Sequence, residues 1–265
     1  MKILAAPLAL FILSVPVWAA DLAQPSQQTR RHGPIIIHER HGSAVTSTNW
    51  SGYAVTGAKG SVSSVTGSWT VPAINGTCPA QDQYASFWVG IDGYSSNTVE
   101  QIGTDSDCQS GEPTYYAWFE FYPHPSYLVN SVPIKPGDTI FAQVTSSGKG
   151  KFTVELVNKT TGASFSTTTK VPSADQSSAE WIAEAPYSGG VLPLADFGTV
   201  DFGDQYTSVT ATCDATVSGK TQAIGNFADN VSINMDTTHG VLKDSTSGLT
   251  KAGDSFSISW LSAGP

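Results

Sequence analysis

The chain has 265 residues, 40% apolar by type and only 13% charged, with a formal net charge of −9 at pH 7. So few cations cannot form the Lys/Arg clusters that neutralise phosphate, which excludes nucleic acid as a partner. The length suits one large β domain, and no internal repeat or linker divides it.

The first twenty residues, MKILAAPLALFILSVPVWAA, carry Lys2, an apolar core from Ile3 to Val17, and small residues at Ala19 and Ala20. This is the pattern of a secretory signal peptide cleaved after Ala19 or Ala20. Read instead as a membrane anchor, the run is too short, and Pro7 and Pro16 interrupt it. Export to the periplasm or the medium is expected, with no membrane partner.

Residues 21–48 differ in composition from the rest of the chain. They hold all three arginines, Arg30, Arg31 and Arg40, and three of the five histidines, His32, His38 and His41. From Gly42 onward there are nine Lys against twenty Asp and Glu, a net of −11. A basic arm ahead of an acidic body suggests a propeptide that pairs with the mature domain (residues 49–265), inhibits it, and loosens when carboxylates take up protons. A functionless arm would have the same composition. His38 and His41 lie in HERHG without the helix that an HExxH zinc site needs, so no metal is expected.

The body opens with NWSGYA, and residues 62–72 (VSSVTGSWTVP) read as the first clear strand, followed by a Gly/Pro loop with Cys78. Residues 85–123 are the densest stretch. ASFWVGID is an apolar run ending at a tight turn, TVEQIG is a second strand, and YYAWFEFYP a third. Period-two alternation puts Tyr116, Trp118, Glu120 and Tyr122 on one face and Tyr115, Ala117, Phe119 and Phe121 on the other. Glu120 thus sits among aromatic rings, where a charge is costly unless protonated or paired. It is a functional candidate, or an edge carboxylate that points to water.

Cys78, Cys108 and Cys213 are an odd set for an oxidising compartment. Cys78 and Cys108 flank the WVGIDG and VEQIG strands and are the expected disulfide, leaving Cys213 a buried free thiol. With only His124 and His239 in the mature part to activate it, a catalytic Cys is not expected.

Beyond the KPGD turn, DTIFAQVTS and KFTVELVN form a predicted hairpin. Then come residues 163–171, SAEWIAEAP, VLPLADFGTVDFGD, YTSVTATC, VSINM, GVLK and DSFSISWL, all short and β-branched or aromatic. No window after residue 20 sustains a 3.6-residue apolar period. The fold class is all-β, an antiparallel sandwich with at most a minor helix. In SAEWIAEAP, Glu180, Ile182 and Glu184 share one face, which makes the two carboxylates a candidate acid/base pair or a solvent-facing edge.

WVGIDG, the Gln of VEQIG, YYAWFEFYP and AEWIAE, in this order, resemble the eqolisins, the glutamic peptidases described from fungi. The resemblance covers residues 49–202. It implies a sandwich of two roughly seven-stranded sheets of the concanavalin or jelly-roll type, a concave face that binds peptide, and a catalytic dyad at Gln101 and Glu184. Trp88, Asp92 and Glu120 fall on positions that line or support the site, Trp118 offers a flat apolar wall, and Glu180 is assigned a supporting role. Ala185 and Pro186 replace the acidic and aromatic residues that commonly follow the catalytic Glu. The resemblance implies a monomeric acid endopeptidase acting on polypeptides, without metal or organic cofactor. Two rival readings stay open: a lectin-like carbohydrate-binding sandwich, and a two-carboxylate glycoside hydrolase using Glu120 and Glu184.

Overall fold

A computed structural model describes residues 26–42 and 44–264; the expected signal peptide lies outside the described residues. The strands are β1 (Ile37–His41), β2 (Ala44–Ser47), β3 (Trp50–Thr56), β4 (Val62–Thr70), β5 (Ser86–Ile91), β6 (Val99–Gln109), β7 (Glu112–Tyr122), β8 (Tyr127–Leu128), β9 (Thr139–Ser146), β10 (Lys151–Asn158), β11 (Ser164–Lys170), β12 (Ser178–Glu184), β13 (Thr199–Gly203), β14 (Asp214–Val217), β15 (Lys220–Ala223), β16 (Asn230–Asp236), β17 (Leu242–Thr246) and β18 (Ser255–Trp260). Helix among the described residues amounts to a turn at Asp204–Thr207 and a 3-10 turn at Ile224–Asn226.

Two ladders make up the sandwich. In one, β8, β7, β6, β5, β12, β3 and β16 pair in series, all antiparallel. In the other, β11, β10, β9 and β4 pair in series, and β4 goes on to both β14 and β13. β17 bonds to both β16 and β18, and β18 to β13, so the ladders join at one side. Between them lies the main core, where Trp69, Phe87, Val89, Ile102, Val144, Phe152, Trp181 and Phe202 are buried together. Two indoles tie the layers across this core: Trp181 Nε1 donates to the Thr66 carbonyl at 2.7 Å and Trp69 Nε1 to Thr104 Oγ1 at 2.9 Å. Both satisfy a polar tip that would otherwise be stranded in hydrocarbon.

β10 alternates buried and less buried residues along KFTVELVN, as a strand with one covered face does. β12 is buried on both faces along its whole length, one side meeting the core and the other a second cluster of Trp50, Trp88, Trp118, Val99 and Ile182. The expected disulfide is present: Cys78 and Cys108 are joined with a Cα–Cα distance of 5.4 Å. Cys213 is free and buried, and burial pushes its thiol up, away from the reactive thiolate.

Two segments differ from their sequence reading. YTSVTATC is not a strand; the chain makes one helical turn and then bends through Ala211 and Cys213, both with φ of 55°, before β14 begins. In VLPLADFGTVDFGD only the TVDFG portion is a strand, and Leu194, Ala195 and Phe197 are instead buried in the core from an irregular connection. Part of the N-terminal arm also belongs to the sheet. β1 pairs with β2, and β2 runs parallel to β16 with Val45 opposite Ile233.

Candidate active site

The register of four strands sets out a grid of side chains on the face away from the main core. Glu184, Ser86, Asp105 and Tyr116 are cross-strand neighbours in one row; Ile182, Trp88, Gly103 and Trp118 form the next. Two residues further along, Glu180, Gly90, Gln101 and Glu120 form the third. The acids and amide therefore share a face because each strand places every second residue there.

The two glycines make room for Trp88. A Cβ at Gly103 would lie 2.6 Å from the Trp88 Cβ and 2.3 Å from the Phe87 carbonyl oxygen, and one at Gly90 would lie 2.8 Å from Trp88 Cζ3. With that space open, the indole reaches Glu184, and Trp88 Nε1 donates to Glu184 Oε2 at 2.9 Å. Glu184 Oε1 is buried without a hydrogen-bond partner.

The N-terminal arm crosses this face. The His32 ring stacks on Trp118 with centroids 3.5 Å apart and planes 8° from parallel. Its backbone N–H donates to Glu120 Oε2 at 2.8 Å; Nδ1 lies 3.1 Å from the same oxygen and Nε2 3.1 Å from Ser86 Oγ. Gln101 Nε2 donates to the His32 carbonyl oxygen. On either side, Arg31 exchanges both backbone hydrogen bonds with Tyr187, and its guanidinium lies 3.5 Å from Glu120 Oε1. Arg30 stacks over Tyr84 at 4.3 Å and pairs with Asp107 at 3.1 Å, while Tyr116 OH donates to Asp105 Oδ2 at 2.8 Å. An open depression lined by Thr66, Phe141, Lys159 and Thr207 among others lies on the other ladder and includes none of these groups.

Burial governs the charge states. It pushes Glu184 well above the ordinary carboxylate range, with the negative charge of Glu120 adding to the effect. Glu120 rises to about 8 and Asp105 to about 6, in each case because desolvation outweighs the stabilising arginine. Asp107 is raised by burial and by the charge of Asp105. His32 moves down, from burial first and then from the charges of Arg30 and Arg31, so the docked imidazole is neutral. A neutral ring donates from one nitrogen and accepts at the other, which matches a carboxyl on one side and a hydroxyl on the other. Arm and body thus meet through ion pairs of Arg30 and Arg31 with buried carboxyls and through the hydrogen bonds of a neutral His32.

A polarised amide on a peptide carbonyl, with a buried carboxyl two rows away on the same face, can support acyl transfer to water. Residues 48–250 match the Peptidase A4 family. The chain belongs to this family, the eqolisins. Among curated relatives, this eqolisin is 31% identical over 199 residues to aspergillopepsin-2 of Aspergillus niger, covering 67% of this chain and 68% of that one. Among solved structures it matches scytalido-glutamic peptidase bound to a transition-state analogue inhibitor at TM-score 0.66, with 26% identity over 81% of this chain and 98% of that one. Aspergilloglutamic peptidase from Aspergillus niger matches at TM-score 0.57 and 30% identity, over 68% and 99% of the respective chains. The chain is a peptidase, and its all-β fold is that of the family.

Within this eqolisin the six residues singled out from sequence fall in two places. Gln101, Trp118 and Glu120 meet His32, and Trp88 and Glu184, hydrogen-bonded to each other, stand in the adjoining rows of the same face. Asp92 does not join them: with φ of 74° it turns its carboxylate onto the Gln176 and Ser177 amides at 2.7 and 2.9 Å, holding the chain that leads into β12. Glu180 is raised by burial and stands near Asp92 and Glu100, at the far end of β12 from Glu184. Sequence reasoning missed Ser86, Asp105 and Asp107. Extending the period-two count from Gln101 through GTDSD would have put both aspartates on the Gln101 face. It also missed His32 as a cleft residue, for which no local pattern exists.

Proposed function

We propose that this eqolisin is an exported acid endopeptidase in which Glu184 and Gln101 form the catalytic dyad. Water entering the cleft relieves the burial that holds Glu184 protonated; the ionised Glu184 then takes a proton from a water held at Oε1, the water oxygen attacks the scissile carbonyl, and Glu184 returns the proton to the leaving nitrogen as general acid. Gln101 donates its amide hydrogen to the developing oxyanion, a type of contact generally worth about 3 to 4 kcal/mol, and keeps that donor at any pH. Trp88 fixes Glu184, Trp118 provides a flat wall for a substrate side chain, and Glu120 takes a backbone N–H of the bound chain. Asp92 supports β12. The observation that carries this reading is the hydrogen bond from Gln101 Nε2 to a peptide carbonyl lying in the cleft.

Within the basic arm of residues 21–48, Arg30 to His32 supply the first occupant of that cleft, so the arm acts as an inhibitor of its own monomeric chain, on a sandwich of two sheets of about seven strands each. Residues 1–20 direct export, with which the Cys78–Cys108 disulfide is consistent. Ala185 and Pro186 adjust substrate preference without touching the dyad. The test is hydrolysis of a denatured protein in mild acid by the processed enzyme, beside Glu184→Gln and Gln101→Ala. Activity in acid that both substitutions abolish, with near-wild-type folding, is the expected result; a rate maximum near neutrality, or full activity in either variant, would overturn the assignment.

A further inference from the structure

The arm does more than fill the cleft: it presents one particular bond. A peptide oriented for hydrolysis by Gln101 and Glu184 has the carbonyl of its scissile bond under the Gln101 amide. In this chain that carbonyl belongs to His32. The residue is held at three further points, by its N–H on Glu120, by its ring on Trp118, and by Nε2 at Ser86, the cross-strand neighbour of Glu184. The next residue is Gly33, at which an added Cβ would meet nothing closer than the Tyr122 ring at 3.5 Å.

We propose that the His32–Gly33 peptide bond is the site at which this chain cleaves itself during maturation. The inference rests on the dyad assignment above. In the step, the water oxygen bonds to the His32 carbonyl carbon while one water proton passes to Glu184. The C–N bond to Gly33 then breaks, and Glu184 delivers that proton to the Gly33 nitrogen, leaving a carboxyl at His32 and an amine at Gly33.

The two sides of this bond are anchored differently. Upstream, the arm is held by a few backbone bonds, Gln28 to Ser126, Leu128 to Ser26, and Arg31 with Tyr187, and by the side chains of Arg30 on Asp107 and Tyr84 and of Arg31 beside Glu120. Downstream, Pro34 accepts from Asn49 Nδ2 at 3.1 Å, Ile35 donates to Gly93, Ile36 donates to Asn49 Oδ1, and β1 and β2 are part of the sheet. Cleavage at residue 32 therefore leaves the upstream basic peptide held only by non-covalent contacts while the new N-terminus stays built into the fold.

The experiment acidifies purified full-length precursor over a hundredfold range of dilution and follows intact mass and N-terminal sequence, with Glu184→Gln and Gly33→Pro precursors alongside and circular dichroism to check folding. The expected outcome is a product beginning at Gly33, a half-time independent of dilution, and cleavage at this bond slowed roughly 10³-fold in Glu184→Gln. Gly33→Pro should stay uncut at residue 32, giving a second variant that leaves the dyad in place. A processed enzyme that digests added substrate yet begins at another residue would overturn the self-cleavage site and leave the peptidase reading standing. So would a Gly33 product from Glu184→Gln at the wild-type rate, or a half-time that lengthens in proportion to dilution. A folded wild type that cuts neither itself nor added substrate would instead overturn the dyad assignment.

Discussion

The two faces of β5, β6, β7 and β12 are made by the same strands and are equally buried, yet they obey opposite rules. Toward the other ladder stand Phe87, Val89, Ile102, Phe119, Trp181 and Ala183, a hydrocarbon layer with its few polar tips paired. Toward the cleft stand Ser86, Trp88, Gln101, Asp105, Glu120 and Glu184, several of them acids held above their ordinary pKa values by desolvation. One face stabilises the fold; the other costs stability and is retained for what its groups can do. Alternation lets a single strand carry both, residue by residue.

Substitutions on the two faces should separate activity from stability. Glu184→Gln should lower kcat by about 10³- to 10⁴-fold while leaving the urea midpoint unchanged or higher, because a buried carboxyl is replaced by a neutral amide of similar shape. A large stability loss in that variant would break the contrast. Trp181→Ala, on the opposite face of the same strand, should cost about 3 to 5 kcal/mol in urea unfolding, through lost packing and an unpaired Thr66 carbonyl. Gln101→Ala should cost about 10²- to 10³-fold in kcat with little change in KM, and a loss confined to KM would remove Gln101 from the oxyanion role.

Buried acids, in the cleft and outside it, also set the pH dependence of stability. Asp105, Asp244, Glu120 and Glu100 have folded pKa values raised to about 6, 7, 8 and 9. The folded chain therefore keeps protons that the unfolded chain has lost, so this stabilisation is complete below the ordinary carboxylate range and declines as pH rises through 6 to 9. His32, lowered by burial, acts in the opposite sense and weakens the docked state as pH falls through about 6.5. With four carboxyls against one imidazole, the melting temperature should fall by roughly 5 to 10 °C between pH 4 and pH 8, and Glu120→Gln should flatten that slope. A melting temperature that peaks near pH 8 would show that burial does not control these groups.

Much of the fold and the site was legible from residues alone, and for a physical reason. Alternation in YYAWFEFYP and SAEWIAEAP fixed which side chains share a face, and the structure places Trp118 with Glu120 and Phe119 with Phe121 on the faces expected. The Cys78–Cys108 pairing followed from the strands it brackets. What stayed hidden depends on contacts between distant parts of the chain. His32 lies 88 residues from Glu120, in an arm whose composition says only that it is basic. YTSVTATC has strand-forming residue types, but left-handed bends at Ala211 and Cys213 override them. Asp92, in WVGIDG, reads as lining or supporting the site; its positive φ and its bonds to the Gln176 and Ser177 amides, which set the supporting contact, lie in a turn that alternation does not describe.

The parallel pairing of β2 with β16 bears on how the enzyme can be produced. β2 pairs with residues 232–235 of β16, and at Ser232 and Ile233 the strand has β3 on one side and β2 on the other. A recombinant chain beginning at Asn49 would strip one side bare, leaving a row of unpaired amides and carbonyls as a template for other chains. Such a truncation should precipitate on refolding, while one beginning at Gly33 keeps that edge covered and should stay in solution with its cleft open.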